Sequence, residues 1–270
     1  MKITSLDLIT SKENIRIKAA RAVRDGRDKE QIFAEGVRLV KELVRSELAV
    51  STVFISEDQP FAEYEDLSSL IKLENVNAFR LSHAAFNSIK DTNHSQGIIA
   101  LAKRPEVGSL ADIHGGKGPY IYLNRVNNPS NLGAVVRSAE AAGATAVITS
   151  PESADAFSPK ALRASMGSAF RMPILSDVEI IDFVNFSKEA RIRTVAIDPM
   201  ARPDYSQFDW TTPAAMIFGS EAHGLEDREL ATFDVAVRIP MNRQVESLNL
   251  AVSAGILLFE AKRQREMVKL

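Results

Sequence analysis

Residues 120–149 read YIYLNRVNNPSNLGAVVRSAEAAGATAVIT, and this segment indicates the architecture of the second half of the chain. The runs 120–123 and 146–149 are almost wholly apolar, which is typical of strands buried on both faces. Between them a polar turn leads into residues 132–142, whose apolar positions have helical spacing. A buried strand, a helix and a second buried strand in this order predict a parallel sheet covered by helices.

The same alternation continues toward the C-terminus. A helix is predicted at 178–191, and further buried strands are predicted at 194–197, 215–218 and 235–239. Sheets of this kind bind their ligands in the loops at the carboxyl ends of the strands. The loops that could carry chemistry are therefore 124–131, 219–224 and 240–247.

The first half of the chain has a different organisation. Its predicted helices are 12–24, 35–46, 61–73 and 83–90, and its predicted strands are 31–34, 53–56 and 96–102. Residues 104–119 contain four Gly and two Pro residues and few apolar ones, which is typical of a linker. We therefore expect a smaller α/β domain over 1–103, a linker over 104–118 and an α/β domain over 119–270.

The composition excludes several classes of protein. The chain has no cysteine and only four histidines, which are scattered along it. Thiolate catalysis, disulfide scaffolds and cysteine zinc sites are excluded, and we expect no metal. No stretch of about 18 apolar residues occurs, so we expect neither a signal peptide nor a membrane span, and we expect a cytoplasmic location.

The charge is unevenly distributed, although the formal net charge is only −2. Residues 11–29 contain seven basic and three acidic side chains, whereas residues 45–79 contain two basic and seven acidic ones. The basic segment is either the solvated face of an amphipathic helix or a surface that contacts phosphates. The candidate phosphate contacts are Arg16, Lys18, Arg21, Arg24 and Arg27.

The common cofactor fingerprints are missing from the second half. No G-x-G-x-x-G follows its first strand, and the GGKG at 115–118 precedes a strand and is not followed by Ser or Thr. Three other features remain, one at each strand-end loop. The turn at 127–131 is rigid and polar, the loop at 219–224 has small residues that let a ligand reach the backbone, and Ser247 is expected to cap the last helix.

Together these features resemble the three motifs of the SpoU, or TrmH-type, family of RNA ribose 2′-O-methyltransferases. The matching segments are NPSNLGAVVRSA at 128–139, IFGSEAHGL at 217–225, and IPM at 239–241 with VESLN at 245–249. The first half is also similar to the L30e-like RNA-binding domain of ribosomal RNA members, through EGVRLV at 35–40 and HSQGI at 94–98.

The resemblance implies methyl transfer from S-adenosylmethionine to a ribose hydroxyl, in a SPOUT-type α/β domain that carries a deep trefoil knot. By position, Gly219, Ile239, Met241 and Leu248 would surround the cofactor's adenine and ribose. Glu221 would brace its loop or a dimer. The residues that match those used for catalysis and for ribose or phosphate placement are Asn131, Arg137, Ser247 and Asn249.

Arg137 stands where the family is described as having the residue that removes the hydroxyl proton. A free guanidinium has a pKa above about 12 and is a poor base. We therefore interpret Arg137 as a residue that orients or electrostatically activates the hydroxyl, with an RNA phosphate as a candidate proton acceptor. The alternative is a surface arginine that pairs with Glu140.

The resemblance also implies a homodimer. The last helix supports this expectation, because its apolar face needs more cover than a small sheet provides. That face consists of Leu250, Ala254, Leu257 and Leu258.

The sequence departs from the family pattern at three positions. Asn124 and Asn128 stand where many members have Asp, which removes negative charge beside the RNA site. Arg243 stands where Gly is common, and it adds a cation that could contact RNA. The other candidate RNA contacts in the second half are Lys160, Arg163 and Arg171.

We predict an enzyme that acts on ribosomal (23S) RNA, because of the first domain. The alternatives are a transfer RNA methyltransferase and a catalytically silent RNA-binding or ribosome-assembly factor.

Overall fold

The computed structural model describes residues 6–58, 76–106, 108–116, 118–242, 245 and 247–268. The chain divides into two compact units. The first contains residues 1–106 together with 157–170, and the second contains 107–156 and 171–270. The helix predicted at 61–73 lies outside the described residues, and so does Arg243.

The first unit contains a mixed five-stranded sheet in the order β1-β4-β3-β5-β2. Its strands are β1 (Leu8–Ile9), β2 (Gln31–Glu35), β3 (Val50–Ser56), β4 (Asn77–Leu81) and β5 (Ile98–Lys103). Strand β5 runs antiparallel to β2 and β3, and β4 runs parallel to β1 and β3. Three of these strands were predicted; β1 and β4 were not.

The helices of the first unit pack against this sheet. They are α1 (Ile15–Arg24), α2 (Val37–Arg45), α3 (His83–Ile89) and α5 (Pro159–Ser165). The helix that lies between α3 and α5 in sequence, α4 (Pro129–Ala142), belongs to the second unit. Helix α1 buries Ile17, Ala20 and Val23 in a core that contains Phe33 and Phe54. Helix α5 was not predicted, although Ser158 caps it and Pro159 occupies its first turn, which are ordinary start signals.

The second unit contains a six-stranded sheet in the order β11-β9-β10-β6-β7-β8, in which every pair is parallel. Its strands are β6 (Tyr120–Leu123), β7 (Ala146–Thr149), β8 (Ile174–Leu175), β9 (Arg193–Ile197), β10 (Ala214–Phe218) and β11 (Val235–Val237). The predicted parallel α/β architecture is confirmed. Only the two-residue edge strand β8 was missed.

The helices that cover this sheet are α4 (Pro129–Ala142), α6 (Ile180–Glu189), α7 (Asp227–Leu230) and α8 (Leu250–Met267). Helix α4 begins three residues earlier than predicted. The Asn128 side chain accepts a hydrogen bond from the Ser130 amide, and Pro129 fills a first-turn position where an amide hydrogen would have no helical partner. The helix ends at Gly143, which adopts φ 76°.

The last helix corrects two expectations. Ser247 is not its cap: α8 begins at Leu250, and the Asn249 side chain accepts hydrogen bonds from the amides of Ala251 and Val252. The apolar face that we expected a partner to cover is buried within the chain, because α8 packs against α4. The exposed apolar residues of α8 are others, including Val252 and Phe259.

No helix in the described part of the chain is long and apolar enough to cross a membrane. Among the same residues, no group of three His, Asp or Glu side chains is arranged to hold a metal ion.

Candidate functional site

The three loops singled out from the sequence follow β6, β10 and β11, at one edge of the parallel sheet. Strands β6 and β10 are direct neighbours, with Leu123 opposite Phe218, and the amide of Asn124 donates to the Phe218 carbonyl oxygen (2.8 Å). The first and second loops therefore leave the sheet side by side. Strand β11 reaches the same edge through β9.

A chain of side-chain hydrogen bonds joins the three loops. The Asn131 amide nitrogen donates to Glu221 Oε1 (3.2 Å), and the Asn249 amide nitrogen donates to Asn131 Oδ1 (3.1 Å). Asn131 belongs to the first motif, Glu221 to the second and Asn249 to the third. Residues 90 and 118 positions apart in sequence thus meet at one place, and three of the predicted site residues are brought together.

The second loop is closed on itself by its backbone. Ser220 and Gly224 exchange amide-to-carbonyl hydrogen bonds of 3.1 and 2.9 Å, and Gly224 has φ 65°. A Cβ atom on Gly219 would lie 2.1 Å from the Gly224 carbonyl carbon. Both glycines are therefore required by the loop itself, Gly219 by the close approach and Gly224 by its left-handed backbone.

The third loop presents apolar side chains. Ile239 and Met241 are half-buried, while Leu248 remains 36% exposed and Val245 50% exposed. Small-molecule sites are mainly apolar with a few polar groups that fix orientation. Exposed aliphatic side chains beside a close-packed backbone loop therefore suit an adenine nucleoside, which stacks on apolar surface and hydrogen-bonds to backbone. These residues fit the cofactor that the resemblance implies.

Arg137 and Ser247 stand apart from the hydrogen-bonded chain. Both are exposed, and among the residues that the structure describes Arg137 has no hydrogen bond or ion pair. The alternative pairing of Arg137 with Glu140 is not formed, because the Glu140 carboxylate accepts from Arg171 (2.6 and 3.1 Å). The Arg137 guanidinium is thus accessible to a ligand on the surface of α4.

A second cluster beside the site was missed from the sequence. Glu229 accepts hydrogen bonds from the buried Asn124 side chain (2.9 Å) and from Arg125 (2.6 Å), and Arg125 also pairs with Glu226 (3.1 Å). The hydrogen bond from Arg125 holds the pKa of Glu226 below its ordinary value. A positive φ of 53° at Arg125 is not visible in sequence, and its partners lie about a hundred residues away.

The candidate phosphate contacts of the basic segment 11–29 are in varied surroundings. Arg16 lies over the Phe79 ring, with 4.6 Å between its Cζ and the ring centroid, and Lys18 pairs with Glu13 (2.8 Å). Arg24 donates to the carbonyl oxygens of Ser88 and Lys90, which close the end of α3. The other two are Arg21, whose Nε is buried with no partner among the described residues, and Arg27, which pairs with Asp25.

The candidates in 157–170 lie in the first unit. Lys160 is exposed in the first turn of α5, and Arg163 forms an ion pair with Asp91. Arg171, in the second unit, is engaged with Glu140.

Models of two protein families match this chain. The model of the SpoU rRNA Methylase family matches residues 118–259, and that of the MRM3-like substrate binding domain matches residues 14–100. An α/β unit with these three joined loops and a match to this family model defines an RNA methylase. The chain belongs to the SpoU rRNA methylase family.

Named relatives agree with this assignment. The chain is 31% identical over 209 residues, 75% of its length and 84% of the relative's, to the 23S rRNA (guanosine-2′-O-)-methyltransferase RlmB of Xylella fastidiosa. It is 28% identical over 84% of its length to the 23S rRNA (guanosine(2553)-2′-O)-methyltransferase RlmP of Bacillus subtilis, 87% of which is covered. The AdoMet complex of the SpoU methyltransferase AviRb from Streptomyces viridochromogenes matches with TM-score 0.84 and 26% identity, over 94% of this chain and 99% of that one.

Proposed function

We propose that this protein methylates a ribose 2′-oxygen in 23S ribosomal RNA. The observation that carries the proposal is the hydrogen-bonded chain Glu221–Asn131–Asn249. It brings together one polar residue from each family motif, at the edge of the sheet where the three loops follow their strands. The relatives named above, RlmB and RlmP, are 23S rRNA 2′-O-methyltransferases, which supports the choice of substrate.

The proposed cofactor residues are Gly219, Ile239, Met241 and Leu248. S-adenosylmethionine supplies a methyl group on a sulfonium, ready for in-line displacement by an oxygen. The chain's own contribution is to hold the adenosine portion against apolar side chains and a rigid backbone loop. Alignment of the attacking oxygen with the methyl group supplies the entropic part of the rate enhancement.

The proposed catalytic residues divide between orientation and charge. Asn131 and Asn249 hold one another and the second loop, so that Asn131 has a fixed orientation next to the substrate. Arg137, with an accessible guanidinium, orients the ribose hydroxyl or an adjacent phosphate and stabilises the developing oxyanion. Since a guanidinium stays protonated, the hydroxyl proton passes to another acceptor, for which an RNA phosphate is the candidate. Ser247 is exposed beside Leu248 and is proposed as a ribose or phosphate contact.

The first unit is proposed to dock the RNA, and the active form is proposed to be a homodimer. The candidate docking cations are those named above in the basic segment 11–29, with Lys160 and Arg163. A second copy would cover the exposed apolar residues Val252 and Phe259 of α8. An enzyme that modifies ribosomal RNA is expected in the cytoplasm.

The test is methyl transfer from radiolabelled S-adenosylmethionine to purified ribosomal RNA and, in parallel, to transfer RNA. The label should enter 23S RNA, and mapping of 2′-O-methyl groups should show one modified position that is absent from RNA of cells lacking the gene. Label in transfer RNA alone would establish the alternative substrate. Cofactor titration without any transfer to either RNA would indicate a silent RNA-binding factor.

A further inference from the structure

Glu229, on α7, is the centre of a compact ion-pair cluster in the second unit. Its Oε1 accepts from the Asn124 amide nitrogen at 2.9 Å and from an Arg125 guanidinium nitrogen at 2.6 Å, while its Oε2 accepts from the Glu226 backbone amide at 2.8 Å. The Glu229 side chain is only 12% exposed, and Asn124 is 4% exposed. A carboxylate so enclosed keeps its partners in one geometry, unlike a pair held between two solvated side chains.

Arg125 enters this cluster with an uncommon backbone conformation. Its φ is 53°, in the left-handed region that side chains with a Cβ seldom adopt. Its amide donates to Ser150 Oγ (2.7 Å) beyond β7, and its guanidinium donates to Glu226 and Glu229. Such a conformation persists only where the surroundings fix it. Here Ser150 holds the backbone of Arg125, and the two glutamates hold its side chain.

The cluster links the two loops whose alignment matters for the reaction. Asn124 and Arg125 begin the first loop, and Arg125 precedes Asn131 by six residues. Glu226 follows the second loop directly, two residues after Gly224. We infer that Arg125, Asn124 and Glu229 are positioning residues. They hold the first loop against the second loop, and so they keep Asn131 and the start of α4 in place. This inference rests on the proposed function.

The chemistry of position 124 is specific. An amide at this position donates to Glu229, whereas an aspartate would bring a second carboxylate to about the same 2.9 Å separation. Two carboxylates at that distance repel, and one of them takes up a proton or moves away. Asn124→Asp should therefore release the first loop. Adding Glu229→Gln exchanges the amide and the carboxylate between the two positions and restores a single negative charge with a donor facing it.

The experiment compares four variants in methyl transfer to 23S RNA. Arg125→Ala and Asn124→Asp should each lower kcat by roughly tenfold to a hundredfold, since a displacement of about 1 Å at reacting groups costs about that much. The S-adenosylmethionine Kd should stay within a few-fold, because none of Gly219, Ile239, Met241 and Leu248 belongs to the cluster. Asn124→Asp/Glu229→Gln should recover part of the loss, because it restores a donor–acceptor pair between positions 124 and 229 but removes the oxygen to which Arg125 donates. Arg263→Ala is the matched control, because it breaks a two-bond Arg–Glu pair in the same unit, with Glu260, away from these loops.

A purely structural role would give another pattern: lower thermal stability, with kcat per folded molecule unchanged and no rescue by the exchange. That pattern would overturn the inference. Amide hydrogen exchange over 124–131 gives a readout that needs no substrate, and it should rise in Arg125→Ala but not in Arg263→Ala. Wild-type protein that transfers no methyl group would refute the proposed function alone, whereas unchanged exchange in Arg125→Ala would refute the positioning role in either case.

Discussion

Asn249 performs two tasks that substitution can separate. Its Oδ1 caps α8 by accepting from the amides of Ala251 (2.9 Å) and Val252 (3.4 Å), and its amide nitrogen donates to Asn131 (3.1 Å). Serine is as good a cap as asparagine but has no amide donor, and alanine is neither. Asn249→Ser therefore removes only the link to Asn131, whereas Asn249→Ala removes the link and the cap.

The magnitudes follow from these contacts. Loss of a cap costs about 1 kcal/mol, and a solvent-accessible neutral hydrogen bond contributes about 0.5 kcal/mol. The free energy of unfolding should thus fall by about 1.5 kcal/mol in Asn249→Ala and by about 0.5 kcal/mol in Asn249→Ser. For a unit of this size, the alanine variant should melt roughly 3–6 °C below the wild type. The turnover number should fall equally in both, by about tenfold or more, because both lose the bond that orients Asn131.

The assay pairs thermal melting with single-turnover methyl transfer. Asn14→Ala is a matched control, since Asn14 caps α1 through its hydrogen bond with the Arg16 amide (2.9 Å) and lies in the other unit. It should lower stability without changing kcat. If Asn249→Ser methylates RNA at the wild-type rate, the bond to Asn131 has no part in the reaction and the argument from the three joined loops fails.

Three further outcomes are expected. Arg137→Ala should abolish methyl transfer with the cofactor Kd within a few-fold; calorimetry that shows cofactor binding lost as well would remove Arg137 from its proposed role. Lys18→Gln/Arg27→Gln should make the slope of log K for RNA binding against log salt less steep by about 0.7 to 0.9 per lost phosphate contact; an unchanged slope would mean that the basic segment 11–29 is only a solvated surface. Sedimentation should give about 59 kDa, twice the 29.6 kDa of the chain; a monomer with full activity would contradict the proposed dimer.

The elements that the sequence predicted well are those with strong periodicity. Strands β6 and β7 begin and end at the predicted residues, because each is a short apolar run bounded by turn signals. The missed strands β1 and β8 have two residues each, too few for any period to show. Strand β4, at Asn77–Leu81, carries Arg80 and an exposed Asn77, so its sequence has no clear strand pattern. Its pairing with β1 on one side and β3 on the other makes it a strand.

Side-chain partnerships were harder to predict than elements. Ser247 and Asn249 are both good cap residues, and only the path of the third loop determines which of them meets the first free amides of α8. Glu229 reaches Asn124 across 105 residues, through a loop conformation set by the positive φ of Arg125. The motif resemblance directed attention to Asn131, Glu221 and Asn249 as separate positions. Their connection in one hydrogen-bonded chain is information from the fold.

The charge of the reactants explains why amides dominate this connection. The cofactor's sulfonium is a cation and RNA is an anion, so a bare carboxylate or guanidinium used merely to hold loops together would also attract or repel a reactant. Asn131 and Asn249 hold the loops with neutral groups. Of the neighbouring carboxylates, Glu229 is paired with Arg125 and also accepts from Asn124, whereas Glu221 accepts from the neutral Asn131 amide. Of the three side chains Arg125, Asn131 and Arg137, only Arg137 combines a charge with the lack of a described partner, which is why we propose that its charge acts on the substrate.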